Sequence, residues 1–246
     1  MKSLSMSGFT IIEVMLVLAI SSLLTMGAVI GLSGSLNTQR YRDSVSSLQS
    51  LIQKQFSDVN NVSNSTSTLN CAVVAGAPVL TAGAGVSNGK TDCVILGKLI
   101  TTNDGKTVFT YNVIGAAVSG SFAGDVTMLQ ASKIILNSVG VESYDLEWDA
   151  SLKNINGTVA KFSVLIVRSP ASGAIRTFID PAIGIASSGD TVNLRNVITA
   201  GKLQSQLKVC VKSDGSIRSD RTAIFIKAGA ASSSSVETQG ETTSGC

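Results

Sequence analysis

Histidine is absent from the 246-residue chain. Its absence removes Ser-His-Asp and Cys-His catalysis, and every zinc site built on imidazole. Charged residues make up only 14% of the chain and aromatics 4%. Glycine, serine, threonine and alanine are abundant instead, which suits a turn-rich β domain outside the cytoplasm better than a helical cytosolic enzyme. The formal net charge of +3 is too small to point to nucleic acid across the whole molecule. None of the four cysteines lies in a C-x-x-C motif, so a zinc knuckle or a thioredoxin-like centre is not indicated. There is no G-x-S-x-G element, no Walker loop and no internal repeat, and serines and lysines are too widespread to mark a dyad. No enzyme and no cofactor is expected.

What the chain does have is one long apolar run, Gly8 to Gly31, with a single charge, Glu13, near its start. As a helix rising about 1.5 Å per residue, it is long enough to cross the roughly 30 Å hydrocarbon core of a bilayer. A carboxylate in such a helix is costly, about 2.5–3.5 kcal/mol at the bilayer centre and less toward an interface. Such a residue usually has a partner and a task. Residues 1–8, MKSLSMSG, form a short polar leader with one basic residue, Lys2. A secretory signal places its apolar run before a small-residue cleavage site. Here the run follows Gly8, so cleavage at Gly8 leaves the anchor attached.

Gly8, Phe9, Glu13 and the unbroken apolar helix in GFTIIEVMLVLAI resemble the class III signal of type IV pilins and type II secretion pseudopilins. The resemblance implies that a prepilin peptidase cuts after Gly8 on the cytoplasmic side and that Phe9 becomes an N-methylated N-terminus. It also implies that Glu13 carries assembly, paired with the new α-amine of its own Phe9 or of a neighbouring subunit's Phe9. A buried carboxylate is tolerable when paired with a cation, which supports that role independently. One departure is the lack of a helix-perturbing proline in the later part of the segment. Gly27, Gly31 and Gly34 stand there instead, and Gly27/Gly31 has small-xxx-small spacing.

Beyond the anchor the pattern turns amphipathic. Tyr41, Val45, Leu48, Leu51/Ile52, Phe56 and Val59 recur every three to four residues, predicting one continuous helix over residues 9–59 with a stripe for a globular domain. Residues 60–70 read as a linker, 71–227 as a β-rich head, and 228–246 as a low-complexity tail ending in Cys246. Within the head, Cys71 to Cys93 reads as a stapled surface loop. Cys93–Thr101 and Lys106–Ala117 flank an Asn103-Asp104-Gly105 turn. Tyr144–Trp148, Val159–Arg168 and Ile175–Ile179 read as strands, as does a final pair, Ser205–Val211 and Thr222–Lys227. The fold class expected is α+β: a long N-terminal helix, half membrane and half amphipathic, packed on a mostly antiparallel sheet. The closing segment, VCVKSDG through RTAIFIK to the last cysteine, weakly resembles the closing hairpin of H-type minor pseudopilins.

Cys71, Cys93, Cys210 and Cys246 fall into two local pairs. For a head outside the cytoplasm, two disulfides are the better reading, although four cysteines allow three connectivities. A bridge from Cys210 would tether the tail. Asp145, Glu147 and Asp149 alternate with Leu146 and Trp148, so they would share one strand face. Three such carboxylates suit Ca²⁺ in ligand chemistry, but no calcium-loop signature accompanies them, so a solvated face is preferred. Trp148 is expected in the core.

Basic residues outnumber acidic ones from Arg195 onward, and Arg218, Arg221 and Lys227 are the candidates for a DNA-phosphate contact. Dispersed surface cations are the simpler reading. The resemblance implies a structural subunit, rather minor than major given the chain's length, of a type IV pilus or a secretion pseudopilus. Its partners would be other pilin or pseudopilin subunits, the peptidase and the membrane. Two alternatives stand beside it: a DNA- or surface-binding tip pilin, and a membrane-anchored enzyme or binding domain.

Overall fold

The structure is a computed structural model describing residues 10–61, 69–75, 77–82, 93–116, 118, 120–185, 187, 191–213, 222–240 and 245–246. It is α+β. Helix α1 spans Ile11–Asn60, and its second half carries the apolar stripe. Tyr41, Val45, Leu48, Ile52, Phe56 and Val59 are all buried there, with Leu51 partly so.

The eleven strands among the described residues all lie in antiparallel pairs. β1 (Leu69–Val74) and β2 (Ala77–Ala82) form a separate hairpin. β3 (Cys93–Thr102) and β4 (Thr107–Ala116) pair across the Asn103-Asp104-Gly105 turn. In that turn Asp104 Oδ1 accepts from the Lys106 and Thr107 N–H groups at 2.8 and 2.9 Å, and Gly105 takes the positive φ of 65° that glycine tolerates best. β5 (Ile135–Asp145), β7 (Phe162–Arg168) and β8 (Ile175–Asp180) complete a five-stranded sheet in the order β5-β4-β3-β7-β8. β6 (Ala150–Lys153), β9 (Leu207–Ser213), β10 (Thr222–Ile226) and β11 (Val236–Gln239) form a second sheet, ordered β11-β10-β9-β6.

The nearly continuous apolar run in β7 follows from burial on both sides. Val164 and Ile166 join the α1 stripe and the second sheet in one core. Leu165 and Val167, on the opposite face, pack with residues of two short helices, α2 (Asp125–Ala131) and α3 (Thr191–Val197). A strand covered on both faces does not alternate polar with apolar. A third short helix, α4 (Ala200–Leu203), follows α3. In β3 the register shifts between Ile95 and Gly97, and a Cβ at Gly97 would collide with the Ile166 carbonyl of β7. Glycine lets the two backbones approach there.

Two disulfides close the chain locally: Cys71–Cys93 joins β1 to β3, and Cys210–Cys246 joins β9 to the C-terminus.

Several boundaries differ from expectation. The linker read over residues 60–70 contains only Asn61 as described non-helical chain, because Asn60 ends α1 and Leu69–Asn70 begin β1; residues 62–68 lie outside the described part. The Cys71–Cys93 segment opens with the β1–β2 hairpin rather than a plain loop. The tail read as low-complexity from 228 onward is correspondingly corrected. It holds a 3₁₀ turn (Ser233–Ser235) and β11, with Val236 buried against α1, and Gln49 and Gln53 both donate to the Val236 carbonyl at 3.2 and 3.3 Å. The head therefore extends past 227.

Candidate functional site

Helix α1 starts at Thr10, whose extended backbone and Oγ1, accepting from the Glu13 N–H at 3.3 Å, make an N-cap. From Ile11 to Ala28 the mean hydropathy is 2.1, and none of this 18-residue span is buried. The helix is therefore apolar enough to cross a membrane, and Ile11, Met15, Leu18, Leu23 and Leu24 stand bare on its several faces. Two of its hydroxyls are satisfied within the helix. Ser22 donates to the Leu18 carbonyl, and Thr25 Oγ1 lies 2.9 Å from the carbonyls of Ser21 and Ser22. Such back-bonding removes the need for water, which hydrocarbon cannot supply. The Glu13 carboxylate is exposed in the first turn, and among the described residues no cation pairs with it. Gly8 and Phe9, the expected cleavage and methylation positions, lie outside the described residues.

At the other half of the helix, Tyr41 is bonded to the second sheet. Its hydroxyl donates to the Val211 carbonyl at 2.9 Å and accepts from the Thr222 N–H at 2.7 Å. One side chain thus ties α1 to β9 and β10.

The expected acidic strand face does not form. β5 ends at Asp145, and the chain turns through Trp148 and Asp149 with φ of 59° and 53°, closed by the Ala150 N–H donating to the Glu147 carbonyl at 3.2 Å. Asp145, Glu147 and Asp149 therefore do not line one face, and among the described residues no cluster of His, Cys, Asp or Glu is arranged to hold a metal ion. Trp148 is not in the core. It is half-exposed, with the Arg40 guanidinium 4.5 Å from its ring centroid. A Trp-Asp pair is not a turn signal of the Gly/Asn kind, so no local pattern announces the bend.

Of the basic C-terminal candidates, the structure describes only Lys227. Arg218 and Arg221 lie outside the described residues, and Lys227 is ion-paired with Glu237. Lys202 is likewise engaged, 2.7 Å from the buried Asp180.

Sequence reading missed one polar knot. Asp125, opening α2, accepts from the hydroxyls of Ser169 and Ser172 at 2.6 and 3.1 Å and from Arg176 Nε at 2.8 Å. The Ser169 hydroxyl contributes most, and with Arg176 and Ser172 it outweighs the opposing effect of burial to hold the Asp125 pKa below its ordinary value. No motif announces partners so far apart in sequence.

Two of the surface hollows among the described residues are the most voluminous of those resolved. One, of about 620 Å³, lies beside the β3 bulge and the end of α1, with Asp58, Lys98, Glu142 and Arg168 in its wall, its acids and bases interspersed. The other, of about 590 Å³, is lined by Ile155, Val159, Pro181 and Ala182 with Lys161 and Lys208. Compared with protein-family models, curated proteins and solved structures, the chain matches none.

Proposed function

We propose that the chain is a pilin-like structural subunit, of the minor kind, of a type IV pilus or a type II secretion pseudopilus. It is made as a single-pass membrane precursor with its head outside the cytoplasm, cut after Gly8, and assembled through its N-terminal helix. The observation that carries this reading is the division of α1: the bare apolar half Ile11–Ala28, with its one carboxylate at Glu13, continues into a half whose stripe is buried in the head. A helix that is apolar all round needs either lipid or other helices around it. In the membrane it has the first; in a filament it has the second. Glu13 then serves as the acceptor for a neighbour's N-terminal amine and sets the stagger between helices. The two disulfides fit a head in an oxidising compartment. The subunit acts as a substrate of processing enzymes and has no catalytic role of its own.

The test is Glu13→Ala in cells that make the filament. The variant should still be inserted and cleaved, yet be lost from filaments sheared off the cells. Undiminished incorporation would contradict the assembly role, since an anchor alone needs no carboxylate.

A further inference from the structure

Between Glu13 and Arg40 the chain carries no charge. Both residues lie on the continuous helix α1, and the stretch between them measures about 40 Å. A bilayer with its headgroup layers included is roughly 40–45 Å thick, so the two charges bracket a whole membrane and Arg40 falls at its far face. Beside Arg40 stands the chain's single tryptophan. The Glu147–Ala150 turn holds Trp148 outward, 50% exposed, with the Arg40 guanidinium 4.5 Å from its ring centroid. The turn is fixed to the helix through β9: the Tyr41 hydroxyl donates to the Val211 carbonyl at 2.9 Å, and the Ser213 hydroxyl donates to the Trp148 carbonyl at 3.4 Å. The depth of the indole is therefore set by α1. Side chains on a helix lean toward its N-terminus, which here is toward the apolar half.

We propose that Arg40 and Trp148 form a patch that rests on the bilayer: while the chain is held in the membrane, the indole lies in the outer headgroup layer and Arg40 bonds lipid phosphate. Tryptophan collects at that depth because its ring system is largely apolar while its N–H needs a polar partner. A guanidinium stacked by its face on the ring keeps its in-plane N–H donors for phosphate oxygens. The exposed charges nearest in sequence, Arg42, Asp43, Glu147 and Asp149, carry both signs. Zwitterionic headgroups offer both phosphate and ammonium to meet them. The partner is therefore the phospholipid surface itself, and no second copy of the chain is needed. The contact holds the head in one orientation on the membrane and is lost when the helix leaves the bilayer. This inference rests on the membrane-anchored half of the reading above and not on the filament.

The experiment uses the full chain in vesicles of phosphatidylcholine and phosphatidylethanolamine, with the fluorescence of Trp148 as the depth probe. A nitroxide on the lipid headgroup should quench it several-fold more strongly than a nitroxide deep in the acyl chains, or than iodide in the water on both sides. Inserting two further helical turns of polar residues, about seven, after Asn37 lifts the head by about 10 Å and keeps the patch on its face. In that variant headgroup quenching should be lost and iodide quenching should rise. Quenching of the unaltered chain by iodide alone, with the protein still held by the vesicles through alkaline carbonate, would overturn the patch and leave the membrane anchor intact. Release by carbonate would overturn both. Stronger quenching from the deep nitroxide, or headgroup quenching undiminished by the insertion, would also overturn the proposal.

Discussion

At the scale of single residues, stability rests on polar groups that sequence patterns do not display. The Tyr41 hydroxyl is buried between a carbonyl of β9 and an N–H of β10. Tyr41→Phe keeps the ring and leaves both backbone groups without it, which should cost about 1–3 kcal/mol. Urea unfolding of the detergent-solubilised protein would measure it, and an unchanged midpoint would show that the bridge is dispensable. Asp125 gives a pH dependence. Its folded pKa lies below the ordinary 3.8, so the unfolded chain binds the proton more readily and stability increases with pH. Its contribution is therefore complete above the unfolded value and is lost as pH falls through the lower folded one. Asp125→Asn should lower the melting temperature at pH 7 and make its decline between about pH 5 and 2 shallower than in the wild type. An acid limb of the same slope in both proteins would contradict the knot's role.

At the scale of elements, α1 places similar leucines in opposite settings. Leu48 is buried in the head, whereas Leu23 is bare. Leu48→Ala should destabilise the head by about 2–5 kcal/mol, while Leu23→Ala should leave head stability within about 0.5 kcal/mol. Comparable losses from both would mean that the two halves do not differ as described. The Cys210–Cys246 bridge closes a separation of 36 residues. Cys246→Ser, which leaves Cys210 free, should cost roughly 2–4 kcal/mol and expose the C-terminus to limited proteolysis. The stripe from Tyr41 to Val59, the Asn103-Asp104-Gly105 turn and the apolar run of β7 were legible because each leaves a local signature of period or turn chemistry. β11 was not: Val236 is its sole large apolar residue, and it is held by Gln49 and Gln53 from the far end of the chain. The acidic alternation around Trp148 misled, because alternation alone cannot show that the strand ends at Asp145. The short helices α2 and α3 were missed for a related reason, since seven residues are too few to establish a helical period.

At the scale of the whole molecule, an apolar helix with one carboxylate is joined to a disulfide-closed antiparallel head. Each part makes sense in a different medium: the first half of α1 among lipids or other helices, the head in water. The central claim is that a processing step at Gly8 links the two lives of the chain, as precursor and as filament subunit. The most direct test is the intact mass and N-terminal sequence of the membrane-extracted protein, made with and without a prepilin peptidase. A chain beginning at methylated Phe9, and only when the peptidase is present, is the expected result. A chain still beginning at Met1, or cut elsewhere, would contradict the pilin-like reading.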